Sequence, residues 1–155
     1  MKIVATASLA LLLISFTHGC SRHDSWKAKT SLTTGSMRIN GEIPVGAQVY
    51  FLPLGAAIDS RGSRPYAAVG QDGTYSMTTY KAFDGAPPGE YAVTVVWPTN
   101  QHTPSSPDRL GNKFDSIEEA PLKVNIIKGK NVIPPFNLIA EKVKPADAMT
   151  NKIVP

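Results

Sequence analysis

Between Ser36 and Ala140, apolar and polar residues alternate with a period of two, not the 3.6-residue period of an amphipathic α-helix. Alternation over four to eight residues is typical of β-strands that bury one face. Glycine and proline also recur too often in this region for a helix of ten residues. The pattern therefore predicts an all-β fold, an antiparallel seven-stranded β-sandwich. The alternating stretches are 36–40, 47–52, 66–69, 74–78, 91–97, 122–126 and 132–139.

Turn residues separate these stretches. Asn40-Gly41 and Asp72-Gly73 favour a positive φ, and Gly70–Gly73 predicts a hairpin between the strands on either side of it. Lys128–Asn131 predicts a second hairpin in the same way. Pro87-Pro88-Gly89 must be a turn, because proline has no N–H to contribute to a sheet.

The stretch from Tyr91 to Trp97 has the clearest alternation. Tyr91, Val93 and Val95 share one face with Trp97, which predicts that Trp97 lies in the core and Thr94 on the outer face.

Two proline-rich regions carry further information. Pro134-Pro135 interrupts the last strand, and two missing N–H donors predict an edge position or a bulge. Pro98–Ala120 is a long connection with three prolines. Long loops in a compact domain are often functional, so this loop is the candidate binding loop.

Composition narrows the class of protein. The chain has 155 residues, of which 42% are hydrophobic and 18% charged, as expected of one folded domain. Its formal net charge is +4, but the basic residues never form a run of five. The excess charge is therefore too dispersed to indicate nucleic-acid binding. Nothing in the sequence decides the oligomeric state.

The N-terminus has the pattern of an export signal. Lys2 precedes an apolar run, Ile3–Phe16, which is too short to span a bilayer. The run leads to Thr17-His18-Gly19-Cys20, which resembles the lipobox of bacterial lipoproteins and contains the only cysteine. We therefore predict that residues 1–19 are a signal peptide and that Cys20 is the lipid attachment site. Ordinary cleavage nearby, leaving Cys20 unmodified or removed, is the alternative.

Lipid on Cys20 would make the membrane the first partner of the chain. Ser21 follows the cysteine, which indicates sorting to the outer membrane, facing the periplasm. The remaining chain divides into a polar tether (20–35), the β-sandwich domain (36–140) and a flexible C-terminal tail (141–155). Trp26 has no apolar neighbours in the tether, which predicts a loosely packed side chain.

The order of the turn and strand motifs resembles a known family, the carboxypeptidase-regulatory-like, transthyretin-like sandwich domains. The resemblance extends to small exported lipoproteins of planctomycete-type bacteria, and it implies a transthyretin-like or Ig-like Greek-key sandwich after a lipobox. Phe114 and Ala120-Pro121 depart from the family pattern. The segments that carry the resemblance are Asn40–Pro53, Asp72–Tyr75 and Asp84–Val95, followed by Asp108, Leu110, Phe114, Leu122–Val124, Gly129, Asn131 and Phe136–Leu138.

The residues offer little for catalysis or metal binding. After export the only histidines are His23 and His102, far apart in sequence, so we predict no catalytic site, no metal site and no cofactor. The aspartates are too scattered for a calcium loop, and Asp72 and Asp84 are predicted to form turns. The aromatic residues that could stack on a sugar are Tyr50, Tyr80, Trp97 and Phe114.

These observations favour a protein that is not an enzyme. The leading hypothesis is a lipid-anchored cell-envelope β-sandwich that acts as a binding or scaffold module without an assigned partner, an envelope protein or a glycan being the two candidates. The alternative is a carbohydrate-binding accessory domain that uses the loop 98–120 to bind a glycan. A purine-breakdown hydrolase of the transthyretin-like type is disfavoured, since its Tyr-Arg-Gly-Ser ending is absent and the chain ends Asn-Lys-Ile-Val-Pro.

Overall fold

The computed structural model describes residues 25–103 and 106–146. The predicted signal peptide, Cys20 and His23 lie outside the described residues, as do positions 147–155 of the predicted tail. Eight strands and no helix occur in the described part, which confirms the all-β class. The strands are β1 (Thr33–Ile39), β2 (Gln48–Pro53), β3 (Tyr66–Ala68), β4 (Thr74–Ser76), β5 (Gly89–Val96), β6 (Leu122–Ile126), β7 (Asn131–Val132) and β8 (Phe136–Leu138).

The strands form two four-stranded sheets around one apolar core. In the first sheet, β1 pairs with β4 on one side and with both β7 and β8 on the other; the second sheet has the order β3-β2-β5-β6. All pairs are antiparallel except β1–β7 and β1–β8, which are parallel. The first strand begins at Thr33, three residues before the predicted start of the domain, so the predicted tether ends earlier than position 35.

Pro134-Pro135 accounts for the difference between seven predicted and eight observed strands. The two prolines lie between β7 and β8 and divide one predicted strand into two short ones. Both pieces pair only with β1, so they form the edge of the first sheet. This is the edge position predicted for two residues that lack an N–H donor.

The turn at Gly70–Gly73 is confirmed, but the hairpin around it is not. Gly73 has a φ of 83°, the Gly70 N–H donates to the Thr74 carbonyl (2.8 Å), and the Asp72 carboxylate accepts the Thr74 N–H (2.9 Å). The strands on either side then separate, because β3 joins the second sheet and β4 the first. Only a bridge between Tyr66 and Thr78 links them.

The hairpin predicted at Lys128–Asn131 is wrong. This turn carries the chain from β6 in the second sheet to β7 in the first. The Asn131 side chain closes the turn by accepting the Ile127 N–H (3.0 Å) and donating to the Ile127 carbonyl (2.9 Å). A local turn signal predicts that the chain reverses, but it does not decide which sheet the next strand joins.

Strand β5 is buried on both faces. Trp97, immediately after it, is buried in the core as predicted, but Ala92 and Thr94 are also buried, with exposures of 0% and 2%. The prediction that Thr94 faces solvent is therefore wrong. Thr94 lies opposite Tyr50 of β2, and cross-strand neighbours share a face. We infer that longer side chains on the flanking strands cover the small ones of this central strand.

Loops gather at each end of the sandwich and form two poles. The N-terminal pole consists of residues 25–32, 54–62, 79–88 and 127–130, which meet where β5 begins, opposite the end of β6. The long-loop pole consists of residues 40–46, 97–120 and 140–146, of which 104 and 105 are not described; these lie where β5 ends, opposite the start of β2. The predicted binding loop thus lies at the end of the sandwich away from the N-terminal segment.

Candidate functional site at the long-loop pole

The long loop is folded against the sandwich by one buried carboxylate. Asp108 is 6% exposed, and it accepts the N–H groups of Trp97 (2.7 Å), Leu110 (3.1 Å) and Asn112 (2.8 Å). A buried carboxylate requires such partners, since desolvation without them is costly. The backbone adds a bond from the Arg109 N–H to the Trp97 carbonyl (2.7 Å). The described residues of the loop therefore form an ordered surface at the end of β5.

Arg109 and Trp97 form the centre of this surface. The Arg109 guanidinium lies 3.6 Å from the centroid of the Trp97 ring, and its Nε donates to the Lys144 carbonyl (2.6 Å). The indole N–H of Trp97 donates to the Val45 carbonyl (3.2 Å). Partial burial lowers the pKa of Arg109, which Glu42 opposes, but a guanidinium stays charged at any physiological pH.

Arg109 separates two clefts. The first, of about 270 Å³, is polar on one side, where Asn100, Gln101 and His102 line it. The second, of about 320 Å³, is lined by Phe114 and by basic side chains that include Lys113 and Lys142. A fixed guanidinium beside these amide, imidazole and ammonium groups can bind carbonyl, carboxylate or hydroxyl oxygens.

The start of the predicted tail belongs to this surface. The Lys144 N–H donates to the Arg109 carbonyl (2.8 Å), and Val143 packs against the core. Phe114 is buried, and its carbonyl accepts the Val95 N–H (2.8 Å), which extends the hydrogen bonding of β5 beyond the start of β6, where Leu122 pairs with Val93. Residues 141–146 are therefore attached to the long loop, in contrast to the predicted flexible tail.

The four aromatic residues proposed for sugar stacking are not brought together. Trp97 and Phe114 are buried at the long-loop pole, so neither presents an open ring face. Tyr50 lies in β2, on the second sheet, and Tyr80 lies at the N-terminal pole. The loop therefore offers polar groups rather than an aromatic platform.

Within the described residues, no group of three or more His, Cys, Asp or Glu side chains could hold a metal ion. His102 is exposed and lies 3.3 Å from the Gln101 amide nitrogen. Asp59, Asp72, Asp84 and Asp108 each accept N–H groups of their own loops, as turn-forming residues do.

A second ordered cluster lies at the N-terminal pole and was missed from the sequence. Trp26 packs edge-to-face on Tyr80 with 5.5 Å between ring centroids, and the Arg61 guanidinium lies 3.9 Å from the Trp26 ring centroid. The Tyr80 hydroxyl donates to Asp59 (2.7 Å) and accepts the Ala28 N–H (3.1 Å). The prediction of a loosely packed Trp26 is therefore wrong. The sequence signal that could have indicated this contact is a single large apolar residue, Trp26, in an otherwise polar segment.

Hydrogen bonding shifts the pKa values in this cluster. Partial burial and the bond to Asp59 raise the pKa of Tyr80 to about 12. Burial alone would raise the pKa of Asp59, but hydrogen bonds from Ser63, Tyr80 and Arg61 outweigh it and lower that pKa to about 2. The tyrosine is therefore neutral and the aspartate ionised over the whole range in which proteins usually work.

The described residues thus define an all-β sandwich with an ordered, polar surface at one pole and a fastened N-terminal segment at the other. Comparisons with protein-family models, curated proteins and solved structures found no match. No helix capable of crossing a membrane is present in the described part of the chain.

Proposed function

We propose that this protein is an exported, lipid-anchored β-sandwich of the cell envelope that acts as a non-enzymatic binding or scaffold module. The anchor is supported by the apolar run Ile3–Phe16, which leads to Cys20, the only cysteine. Ser21 supports sorting to the outer membrane, with the sandwich facing the periplasm. The resemblance to exported transthyretin-like lipoproteins agrees with this location.

One observation carries the binding role: Arg109 is fixed between two clefts whose apolar linings also carry amide, imidazole and ammonium groups. Stacking on Trp97 and the bond to the Lys144 carbonyl hold the guanidinium in place before any ligand arrives. Preorganised groups lose little conformational entropy on binding, so such a surface suits recognition. It also lies at the pole opposite the N-terminal segment, and an anchor at Cys20 would leave it pointing away from the membrane.

The arrangement of the loop supports binding rather than catalysis. Both oxygens of Asp108 accept backbone N–H groups, so this carboxylate holds the loop in place. The Ser106 hydroxyl accepts the Asn100 N–H (2.7 Å), and His102 lies beside Gln101. These side chains order the loop or face solvent.

The anchor is tested by Cys20→Ser in the full chain, expressed in a diderm bacterium. We expect the wild-type protein in the membrane fraction with an acylated Cys20 by mass spectrometry, and the variant without the lipid. Ser21→Thr, which keeps the cysteine, serves as the matched control and should be acylated. A mature N-terminus at another residue, with Cys20 unmodified or removed, would refute the lipid anchor.

The binding surface is tested by capturing partners from an envelope fraction with the wild-type protein and with Arg109→Gln. We expect the variant to lose a partner that Lys123→Gln, on the outer part of β6, retains. Equal capture by both variants would place the binding surface elsewhere.

A carbohydrate-binding accessory domain is the second candidate. Its support is the cleft lined by Asn100, Gln101 and His102, whose amide and imidazole groups can bond sugar hydroxyls. A glycan array decides between the candidates: this function predicts binding that Asn100→Ala abolishes, and a protein-binding module predicts no glycan signal.

A further inference from the structure

The N-terminal pole exposes large apolar side chains that a sandwich would ordinarily bury. Leu32, Phe83 and Ile127 are 58%, 68% and 60% exposed. They lie on segments that contact one another: Ser31 and Ala86 exchange two backbone hydrogen bonds (2.8 and 3.0 Å), and the Gly129 N–H donates to the Ser31 hydroxyl (3.3 Å). Apolar groups gathered on one surface indicate an interaction site.

Phe83 is presented by a rigid turn. Its φ is 59°, a conformation that bulky residues rarely adopt. The Asp84 carboxylate holds the turn by accepting the N–H groups of Thr79 (2.7 Å) and Lys81 (3.1 Å), and the Phe83 N–H donates to the Thr78 hydroxyl (3.0 Å). The fold thus supports a strained residue in order to keep an aromatic ring in solvent, and strain of this kind accompanies function.

The N-terminal pole also carries an excess of positive charge. Its described residues, together with Glu90 at its border, include six basic and three acidic side chains. Two of the acids are engaged: Asp59 bonds the Tyr80 hydroxyl, and Asp84 bonds its own turn. The long-loop pole has the opposite balance, with four basic and six acidic side chains. The basic residues of the N-terminal pole are Lys27, Lys29, Arg61, Lys81, Lys128 and Lys130.

We propose that the N-terminal pole docks on an anionic phospholipid surface, with Phe83, Leu32 and Ile127 at the depth of the headgroups and the lysines around them on lipid phosphates. Exposed apolar side chains together with an excess of basic side chains at the same pole match the interface of an anionic bilayer. The chain before Ser25 supports lipid over a protein partner, because it leads back to Cys20 and the apolar run Ile3–Phe16. That segment favours a membrane if Cys20 is acylated or if the apolar run is retained.

The docking is tested with the full chain bound to vesicles of phosphatidylcholine containing phosphatidylglycerol. Phe83→Trp adds one fluorophore at the proposed surface, and Ile117→Trp, at a 40% exposed position of the long-loop pole, is the matched control. With brominated lipid in the vesicles, we expect the fluorescence added at position 83 to be quenched and that added at position 117 to be unchanged. Equal quenching of the two, or none at position 83, would overturn the proposal.

The electrostatic part has its own control. Combining Phe83→Trp with Lys81→Gln and Lys128→Gln should weaken the quenching, since each lysine near an anionic surface strengthens association about fivefold. Lys113→Gln, at the other pole, should leave it unchanged. Vesicles of phosphatidylcholine alone should also give little quenching. Quenching that is insensitive to both the lysines and the anionic lipid would contradict phosphate contacts and overturn the proposal.

This proposal shares the membrane location with the proposed function but does not require a lipid on Cys20. An unmodified Cys20 with strong quenching at position 83 would refute the anchor alone. An acylated Cys20 without quenching would refute the docking surface alone.

Discussion

The two poles of the sandwich contain the same structural motifs, but the motifs differ in how deeply they are buried. Each has a tryptophan stacked under an arginine and an aspartate that collects backbone N–H groups. At the long-loop pole, Trp97 continues β5 and is 6% exposed, and its aspartate, Asp108, is equally buried. At the N-terminal pole, Trp26 is half-buried on a segment that precedes the first strand, and Asp84 is also half-buried.

The contrast between the poles shows how burial changes the effect of a local motif. At the long-loop pole, the stack and the carboxylate are part of the core, so the loop and the sandwich should unfold together. At the N-terminal pole, the same contacts fasten a segment to an already complete fold. Its contacts should open locally at lower free energy, because few buried apolar groups are lost.

The largest expected effect is at Gly85. This residue has a φ of 91°, and a Cβ there would overlap the carbonyl oxygen of Ser31, where the N-terminal segment meets the sandwich. Gly85→Ala should therefore lose more than about 3 kcal/mol of unfolding free energy in urea melts. Gly111→Ala at the long-loop pole is the matched control: its φ is 69° but the space is open, so about 1 kcal/mol is expected. Equal losses of stability in the two variants would mean that backbone strain at positive φ, and not the contact with Ser31, causes the destabilisation.

The two turn-forming aspartates should differ in cost. Asp108→Ala should lose about 3 kcal/mol, since it leaves buried N–H groups without partners, and Asp84→Ala about 1.5 kcal/mol, because water can replace its carboxylate. Urea melts with limited proteolysis measure both, and we expect new cleavage within the long loop for Asp108→Ala. If Asp84→Ala lost as much unfolding free energy as Asp108→Ala, the two poles would not differ in the way proposed.

Removing the tryptophan of the N-terminal pole should have a smaller effect. Trp26→Ala should lose about 1 kcal/mol, the usual value of an aromatic pair with a partly exposed cation. Hydrogen exchange should rise at the Ala28 N–H while the amides of β5 keep their protection. Loss of protection in β5 would show that the segment is part of the core.

The smallest effect should be the response to acid. The folded pKa of Asp59 is about 2, below its ordinary value, so its contribution to stability is present above about pH 4 and disappears as the pH falls towards 2. We expect the N-terminal segment to detach over this range, seen as a change in Trp26 fluorescence. Asp59→Asn should remove the pH dependence, and a change that persists in this variant would assign the titration to another group.

Much of the local structure could be predicted from the sequence. The all-β class, the positive φ at Gly73 and the edge position of Pro134-Pro135 depend on backbone preferences of a few neighbouring residues. The core position of Trp97 follows from the alternation along its own strand. The long loop could be selected as the candidate site from its length alone, although the contacts that make it a site could not.

The remaining features depend on residues far apart in the chain. The residues of Lys128–Asn131 predict a hairpin, but the next strand joins the other sheet through its parallel pairing with β1. Burial of Thr94 depends on the strands that flank β5. Trp26 is attached through Tyr80, which is 54 residues away in the chain. Lys144 is attached through Arg109, which is 35 residues away. The strands and turns follow from the amino-acid sequence, because their energetics are local. The pairing of the strands and the formation of the two poles follow from tertiary packing, since they depend on which surfaces are buried together.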